Sequence, residues 1–194
     1  MPTSPGTAVR IVWLVWIASW WAAALWSQKA VKRPAISQEI VYRVLTVVGC
    51  VLLFGFGVPP RFEIWAVGAR VAWLLVGCTA AGMVFAWWAR LHIGTLWSSS
   101  VTRKAGHRVI DTGPYGIVRH PIYTGILCSV LATAILYGTS LAVAGAGLAI
   151  AGFYVKARVE EQFLRQELGT ESYDVYARRI PMLVPGWPGD RTKA

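Results

Sequence analysis

The segment Gly113-Pro114-Tyr115-Gly116-Ile117-Val118-Arg119-His120-Pro121-Ile122-Tyr123 sets a guanidinium, an imidazole, two phenols and two prolines between strongly apolar stretches. A pair of adjacent carboxylates, Glu160-Glu161, follows further along the chain. Charged groups at the rim of a membrane core are costly, so their presence there points to function. A guanidinium such as Arg119 can hold a carboxylate or phosphate through two parallel hydrogen bonds. A helix opening at Pro121 would add first-turn N–H groups to the same anion. Neighbouring residues on a helix point about 100° apart, so only one of Glu160 and Glu161 can face a given pocket squarely. The expectation is that one binds a ligand cation and the other orients it. The plainer reading of these clusters is a helix start with interfacial tyrosines and a solvated acidic face paired with Arg158 and Arg165. His107 and Asp111 lie just ahead of the motif, and Trp97 is a candidate interfacial anchor.

The elements that must position these groups follow from composition. Of 194 residues, 56% are hydrophobic and 14% charged. Average soluble chains carry about 25% charged residues, so this one has the balance of an integral membrane protein. The net charge is +10, but the Lys and Arg residues fall between the apolar segments, as loop charges of a membrane protein do. Membrane lipids, and not nucleic acid, are the expected surroundings. Cys50, Cys78 and Cys128 sit apart inside apolar runs and read as buried free thiols. His92, His107 and His120 lack metal-ligand spacing, so no metal is expected. Arg10 ahead of an apolar run resembles a signal peptide, but the bulky Trp13, Trp16, Trp20, Trp21 and Trp26 favour a retained helix.

A bilayer core about 30 Å thick needs roughly 20 apolar residues per helix. On that measure the chain is an all-α polytopic bundle, one integral membrane domain over 1–194, with helices near 8–27, 40–58, 67–91, 121–137 and 140–155. Gly138-Thr139 can join the last two only as a tight antiparallel hairpin. The positive-inside rule places the first loop, the third loop (93–119) and the tail (156–194) in the cytosol and the N-terminus outside. The membrane itself, a bacterial inner membrane or an endoplasmic reticulum, is left open. The third loop is long enough to be functional. The tail starts with a helical stretch to Leu168, with Gly169 as its cap. A short helix with Tyr173 and Tyr176 follows, ended by Pro181 and Pro185. The tail is expected on the membrane surface or over the third loop. Gly145, Gly147 and Gly152 lack a preceding strand and read as small residues for close helix packing, not a dinucleotide motif.

The ordered set Gly94-x-x-Trp97-Ser98, Gly106-His107, Thr112-Gly113-Pro114-Tyr115, Arg119-His120-Pro121-x-Tyr123 and Glu160-Glu161 resembles the isoprenylcysteine carboxyl methyltransferase family. The phospholipid N-methyltransferases share that broad superfamily. Leu164, Leu168-Gly169, Tyr173, Tyr176, Arg179-Ile180-Pro181 and Pro185 extend the resemblance, which covers about half the chain, although Gly169 to Tyr173 is one residue longer than the usual spacing. It implies S-adenosyl-L-methionine as methyl donor, enclosed by the third loop and the Glu160-Glu161 helix. His107, Val109, Gly113, Tyr115, His120, Pro121 and Tyr123 would line the pocket. Glu160 or Glu161 would take the donor's ammonium, and Arg119 would help position donor or acceptor. Arg119 and Glu160 are thus the candidate catalytic residues. The acceptor would be a lipophilic small molecule or lipidated group entering from the bilayer, with a carboxylate expected; the residues do not fix an oligomeric state.

An ionised carboxylate needs no general base, and the work is alignment of the reacting atoms with electrostatic support. An amine would have to lose a proton, with Glu160, Glu161 or His107 as candidates. Two other classes remain: an NADPH-dependent membrane reductase of the sterol-reductase type and a non-catalytic membrane protein. The reductase pattern has Asn where Ile122 stands and an acid that Thr124-Gly125-Ile126 lacks.

Overall fold

The computed structural model describes residues 3–25, 36–55, 63–94, 110–168 and 170–186, with backbone alone at 36–38, 167–168 and 170–172. These residues form α1 (Pro5–Ala24), α2 (Ile36–Phe54), α3 (Ala69–Ile93), α4 (Pro121–Tyr137), α5 (Ser140–Leu168) and α6 (Thr170–Arg179), with a 3₁₀ turn over Gly113–Gly116. Among the described residues there is no strand, only one bridge between Glu63 and Thr139.

Local chemistry sets the helix ends. α1 begins earlier than its apolar run because the Ser4 hydroxyl accepts from the Thr7 amide at 3.2 Å and Pro5 pre-sets the first turn. α2 stops at Phe54, ahead of the expected 58, where Gly55 turns left-handed at φ +56°. α3 runs past the expected 91 to Ile93 and closes on Gly94. α4 spans 121–137 as expected and ends on Gly138 at φ +60°, the tight turn into α5. One expectation fails: the fifth helix does not stop near 155. It continues unbroken to Leu168, because 156–168 holds helix formers and neither Gly nor Pro. The polar stretch carrying Glu160 and Glu161 is therefore a rigid extension of an apolar helix.

Among the described residues, three helices are long and apolar enough to cross a membrane: Pro5–Ala24, Ala69–Ile93 and Ser140–Gln166, while α4 is shorter. Large apolar side chains point outward along them, such as Leu14 at 66% and Val84 at 67% exposure. A solvated surface of that kind is unfavourable, and a lipid-facing one is ordinary. This is the character of an integral membrane protein. Cys78 and Cys128 share that outward exposure, contrary to the expectation of buried thiols; Cys50 is half-buried.

α2 packs along α5 and α3 along α4. Small residues permit both approaches. A Cβ on Gly145 would lie 2.6 Å from the Gly49 carbonyl, and one on Gly82 would lie 2.5 Å from the Gly125 carbonyl. α1 is pinned by the Trp13 indole N–H, which donates to Thr133 Oγ1 at 3.0 Å. It is also pinned by Arg90, which donates to the Ala23 carbonyl at 2.9 Å and to the Gly94 carbonyl at 2.8 Å. Carbonyls at two helix ends thereby gain a cationic donor.

Gly145→Val should force α2 from α5 and lower the thermal midpoint in detergent, with an overpacking cost of about 1–3 kcal/mol. Gly147→Val, where nothing lies within 4 Å, should leave the midpoint in place. Equal midpoints for both variants would refute close packing at Gly145.

Candidate functional site

Four elements meet at one end of the bundle: the 3₁₀ turn, the start of α4, the polar half of α5, and α6 with the chain that follows it. Pro121 starts α4, and the residue before a proline is kept from helical geometry. His120 accordingly sits at φ −122°, ψ 63° as the N-cap, without a side-chain capping bond. Its ring turns instead toward α5.

Arg119 and His120 hold the tail through their backbones as well as their side chains. The Arg119 amide donates to the Pro181 carbonyl at 2.8 Å and the His120 amide to Met182 at 3.1 Å. Thr124 Oγ1 donates to the Leu183 carbonyl at 2.7 Å. The Arg119 guanidinium donates from Nε to Glu161 Oε1 at 2.6 Å, and from one terminal nitrogen to the Ala177 and Ile180 carbonyls at 2.7 and 2.6 Å. Those two carbonyls belong to the last turn of α6 and the residue beyond it, where helical carbonyls lack intrahelical partners. The pair is dry, with side-chain exposure of 1% for Arg119 and 0% for Glu161.

The two acids divide. Glu161 is enclosed, with Arg119 and His120 Nε2 (3.2 Å) on Oε1 and the Arg165 guanidinium 3.9 Å from Oε2. A carboxylate only accepts, so His120 Nε2 carries the proton in that contact. Glu160 keeps 31% side-chain exposure, accepts from the Tyr123 hydroxyl at 2.6 Å, and lies 3.7 Å from His120 Nδ1. The imidazole bridges both acids and stacks on Tyr123, with ring centres 5.2 Å apart and planes 2° from parallel.

The 3₁₀ turn is clamped from two sides. The Tyr176 hydroxyl donates to the Tyr115 carbonyl at 2.9 Å. Arg179 donates to the Asp111 carboxylate. His92, at the end of α3, meets Thr112 Oγ1 at 3.0 Å and stacks near Tyr115. Gly113 sits at φ +57°, and a Cβ there would lie 2.7 Å from the His92 ring. Burial raises the Tyr115, Tyr173 and Tyr176 phenols above their ordinary range, so these rings stay neutral at any physiological pH.

Of the residues singled out in the sequence, Gly113, Tyr115, Arg119, His120, Pro121, Tyr123, Glu160 and Glu161 converge here. His107, Val109 and Trp97 lie outside the described residues. Sequence reasoning missed His92, Tyr42 and Lys156. The Lys156 ammonium lies 5.1 Å from the Tyr123 ring centre and 5.7 Å from that of Tyr42 on α2. Only the spacing of Lys156 one turn ahead of Glu160 could have marked it.

Residues 74–166 match the family model for the isoprenylcysteine carboxyl methyltransferase (ICMT) family. The match runs from α3 through the motif to the Glu160-Glu161 stretch. Among characterised proteins, the chain is similar to methanethiol S-methyltransferase 2 of Bradyrhizobium diazoefficiens, with 31% identity over 176 residues, 86% of this chain and 63% of that protein. It is also similar to protein-S-isoprenylcysteine O-methyltransferase B of Arabidopsis thaliana, with 29% identity over 86 residues, 44% of this chain and 43% of that protein. The chain thus spans less than two thirds of either relative's length.

Removing one partner of a buried pair leaves an uncompensated charge, at a cost of about 3–5 kcal/mol. Arg119→Ala should therefore lower the thermal midpoint in detergent clearly, and Arg119→Met combined with Glu161→Leu should recover much of the loss. An Arg119→Ala variant that melts like the wild type would remove the pair from its structural role.

Proposed function

We propose that the protein is an S-adenosyl-L-methionine-dependent methyltransferase of a membrane, acting on a lipophilic acceptor. The observation that carries this is the division of the two acids. Glu161 is buried in an ion pair, which leaves Glu160 as a partly open carboxylate beside the Tyr123 hydroxyl and the edge of the His120 ring. A carboxylate beside aromatic rings is the donor set that suits a ligand carrying an ammonium and a sulfonium. The match of residues 74–166 to a methyltransferase family model supports the same reading.

In this reading Glu160 takes the donor's ammonium, and Tyr123, His120, Tyr115 and Gly113 shape the wall beside it. Pro121 sets the α4 start that carries them. His107 and Val109 belong to the loop expected to complete the enclosure. Arg119 acts through Glu161 and the tail and does not touch the reacting atoms, because its side chain is 1% exposed. When bound, S-adenosyl-L-methionine supplies an electrophilic methyl group for in-line displacement by the acceptor's lone pair. The chain's own work is to hold nucleophile and methyl in line and to keep water out.

A lipophilic carboxylate is the first acceptor reading, since it is already ionised and needs no base. A thiol is the second, favoured by the S-methyltransferase relative matched over 86% of this chain. A thiol must lose its proton, and Glu160 with His120 is the group placed to receive it. Five spans remain the proposed topology, with α2 and α4 completing the bundle, the N-terminus outside and the site at the cytosolic rim. That placement admits a charged donor from water and a lipidic acceptor from the bilayer. The whole chain then forms one membrane domain.

Calorimetric titration of the detergent-purified protein should show binding of S-adenosylhomocysteine and none of NADPH. Glu160→Gln should weaken S-adenosylhomocysteine about tenfold, the scale of one charge-assisted hydrogen bond. NADPH binding alone would favour the reductase class. Binding of neither by folded protein would favour a non-catalytic role.

A further inference from the structure

α2 meets α5 along one stripe of its own surface. Glu39, Tyr42, Thr46, Gly49 and Leu53 follow one another at steps of three and four on a single helix, so they share a face. The contacts along it run antiparallel. A Cβ on Gly145 would meet Gly49 and Leu53, and one on Gly152 would meet Thr46 and the Tyr42 carbonyl. One turn further along α5, the Lys156 ammonium lies 5.7 Å from the centre of the Tyr42 ring. The same register carries Glu39 toward the turn of α5 that holds Glu160.

Small and apolar side chains are the usual filling of such a seam. Its last two places here hold a carboxylate and a phenol, 7% and 4% exposed. Each has an oxygen without a hydrogen-bond partner among the described residues, Glu39 Oε1 and the Tyr42 hydroxyl. Arg43 approaches the Tyr42 hydroxyl, but it donates to the other Glu39 oxygen, Oε2, and its own side chain is 56% exposed. Buried oxygens in folded proteins almost always have a partner, and leaving one without is costly. Two of them on one face, three residues apart, call for a group from outside the chain. The place also borders the site already described. Tyr123, whose hydroxyl bonds Glu160 at 2.6 Å, lies over the same ammonium as Tyr42, and Phe153 packs on Tyr123 with ring centres 5.3 Å apart.

What arrives must bring hydrogen-bond donors. An ionised carboxylate only accepts, and it repels a second anion, so an acceptor's carboxylate does not belong beside Glu39. In the methyltransferase reading Glu160 takes the ammonium of the methyl donor. The other donor groups of that ligand are the hydroxyls and the amine of its nucleoside. We propose that Glu39 and Tyr42 form a subsite for these nucleoside donors, a wall of the site supplied by α2. The proposal rests on the methyltransferase reading and deepens it.

Titration of wild type, Glu39→Gln and Tyr42→Phe with S-adenosylhomocysteine and 5′-methylthioadenosine tests it, together with the thermal midpoint of each ligand-free protein. 5′-Methylthioadenosine keeps the nucleoside and lacks the amino-acid end. Glu39→Gln should weaken both ligands about tenfold and Tyr42→Phe about fivefold, the scales of a charged and a neutral hydrogen bond. The ligand-free midpoint of Tyr42→Phe should stay in place, because no bond within the chain is lost. S-Inosylhomocysteine separates the two sources: a loss that persists with it assigns the hydroxyls, and a loss that vanishes assigns the amine. Unchanged affinities in both variants would overturn the proposal. So would a loss confined to S-adenosylhomocysteine, which marks the amino-acid end, or a lowered ligand-free midpoint in Tyr42→Phe, which marks a structural partner for the hydroxyl. A wild type that binds neither adenine nucleoside would overturn the methyltransferase reading and this subsite with it.

Discussion

Arg119 and Glu161 face each other with side chains 1% and 0% exposed, and a pair so fully removed from water persists only when the groups around it supply further hydrogen bonds. They do: two carbonyls at the end of α6 accept from Arg119, and His120 shares the Glu161 oxygen. The same few atoms thus join α4, α5 and α6. Backbone bonds from Arg119 and His120 to Pro181 and Met182 lie alongside. Because the pair is dry, loss of either partner is far more costly than loss of an exposed salt bridge. The tail is held over the site by this constraint together with an apolar cluster of Tyr173, Tyr176 and Ala177 against Leu164 of α5 and Ile180.

That constraint assigns the neighbouring groups. Adjacent residues on a helix cannot face the same way. Once Glu161 turns into the pair, Glu160 turns toward Tyr123 and partial exposure. The His120 ring, which makes no capping bond to α4, links the buried Glu161 carboxylate to the partly exposed one of Glu160. Lys156 and Phe153 follow from the same helix face. The unbroken passage of α5 from apolar to polar sequence keeps these positions rigid relative to the bundle, which suits a site whose work is alignment.

The sequence made α4 legible to the residue, because Pro121 and Gly138 mark both ends with backbone chemistry. Gly145 and Gly152 were legible as packing residues, and Cβ atoms there would collide with α2. The end at Leu168 was legible, but the continuity of the fifth helix through Val155 was not: hydropathy falls there, but hydropathy reports the solvent and not the backbone, and nothing there breaks a helix. The convergence of Arg119 with Glu160-Glu161 was visible as two polar clusters. Which acid is buried was not, since that depends on the rotation of α5 against α4. Arg119 read as a ligand-binding group because its usual partners are carboxylates; its partner is a carboxylate of the chain itself. His92 carried no signal beyond its type, because its place comes from a contact with Thr112 in a segment distant in sequence.

Hydrogen–deuterium exchange of the 173–182 segment in wild type, Glu160→Gln and Glu161→Gln tests the division of the two acids most directly. If Glu161 holds the tail and Glu160 serves a ligand, Glu161→Gln should lose protection across this segment while Glu160→Gln retains it. Equal protection in both variants, or loss in Glu160→Gln alone, would contradict the assignment.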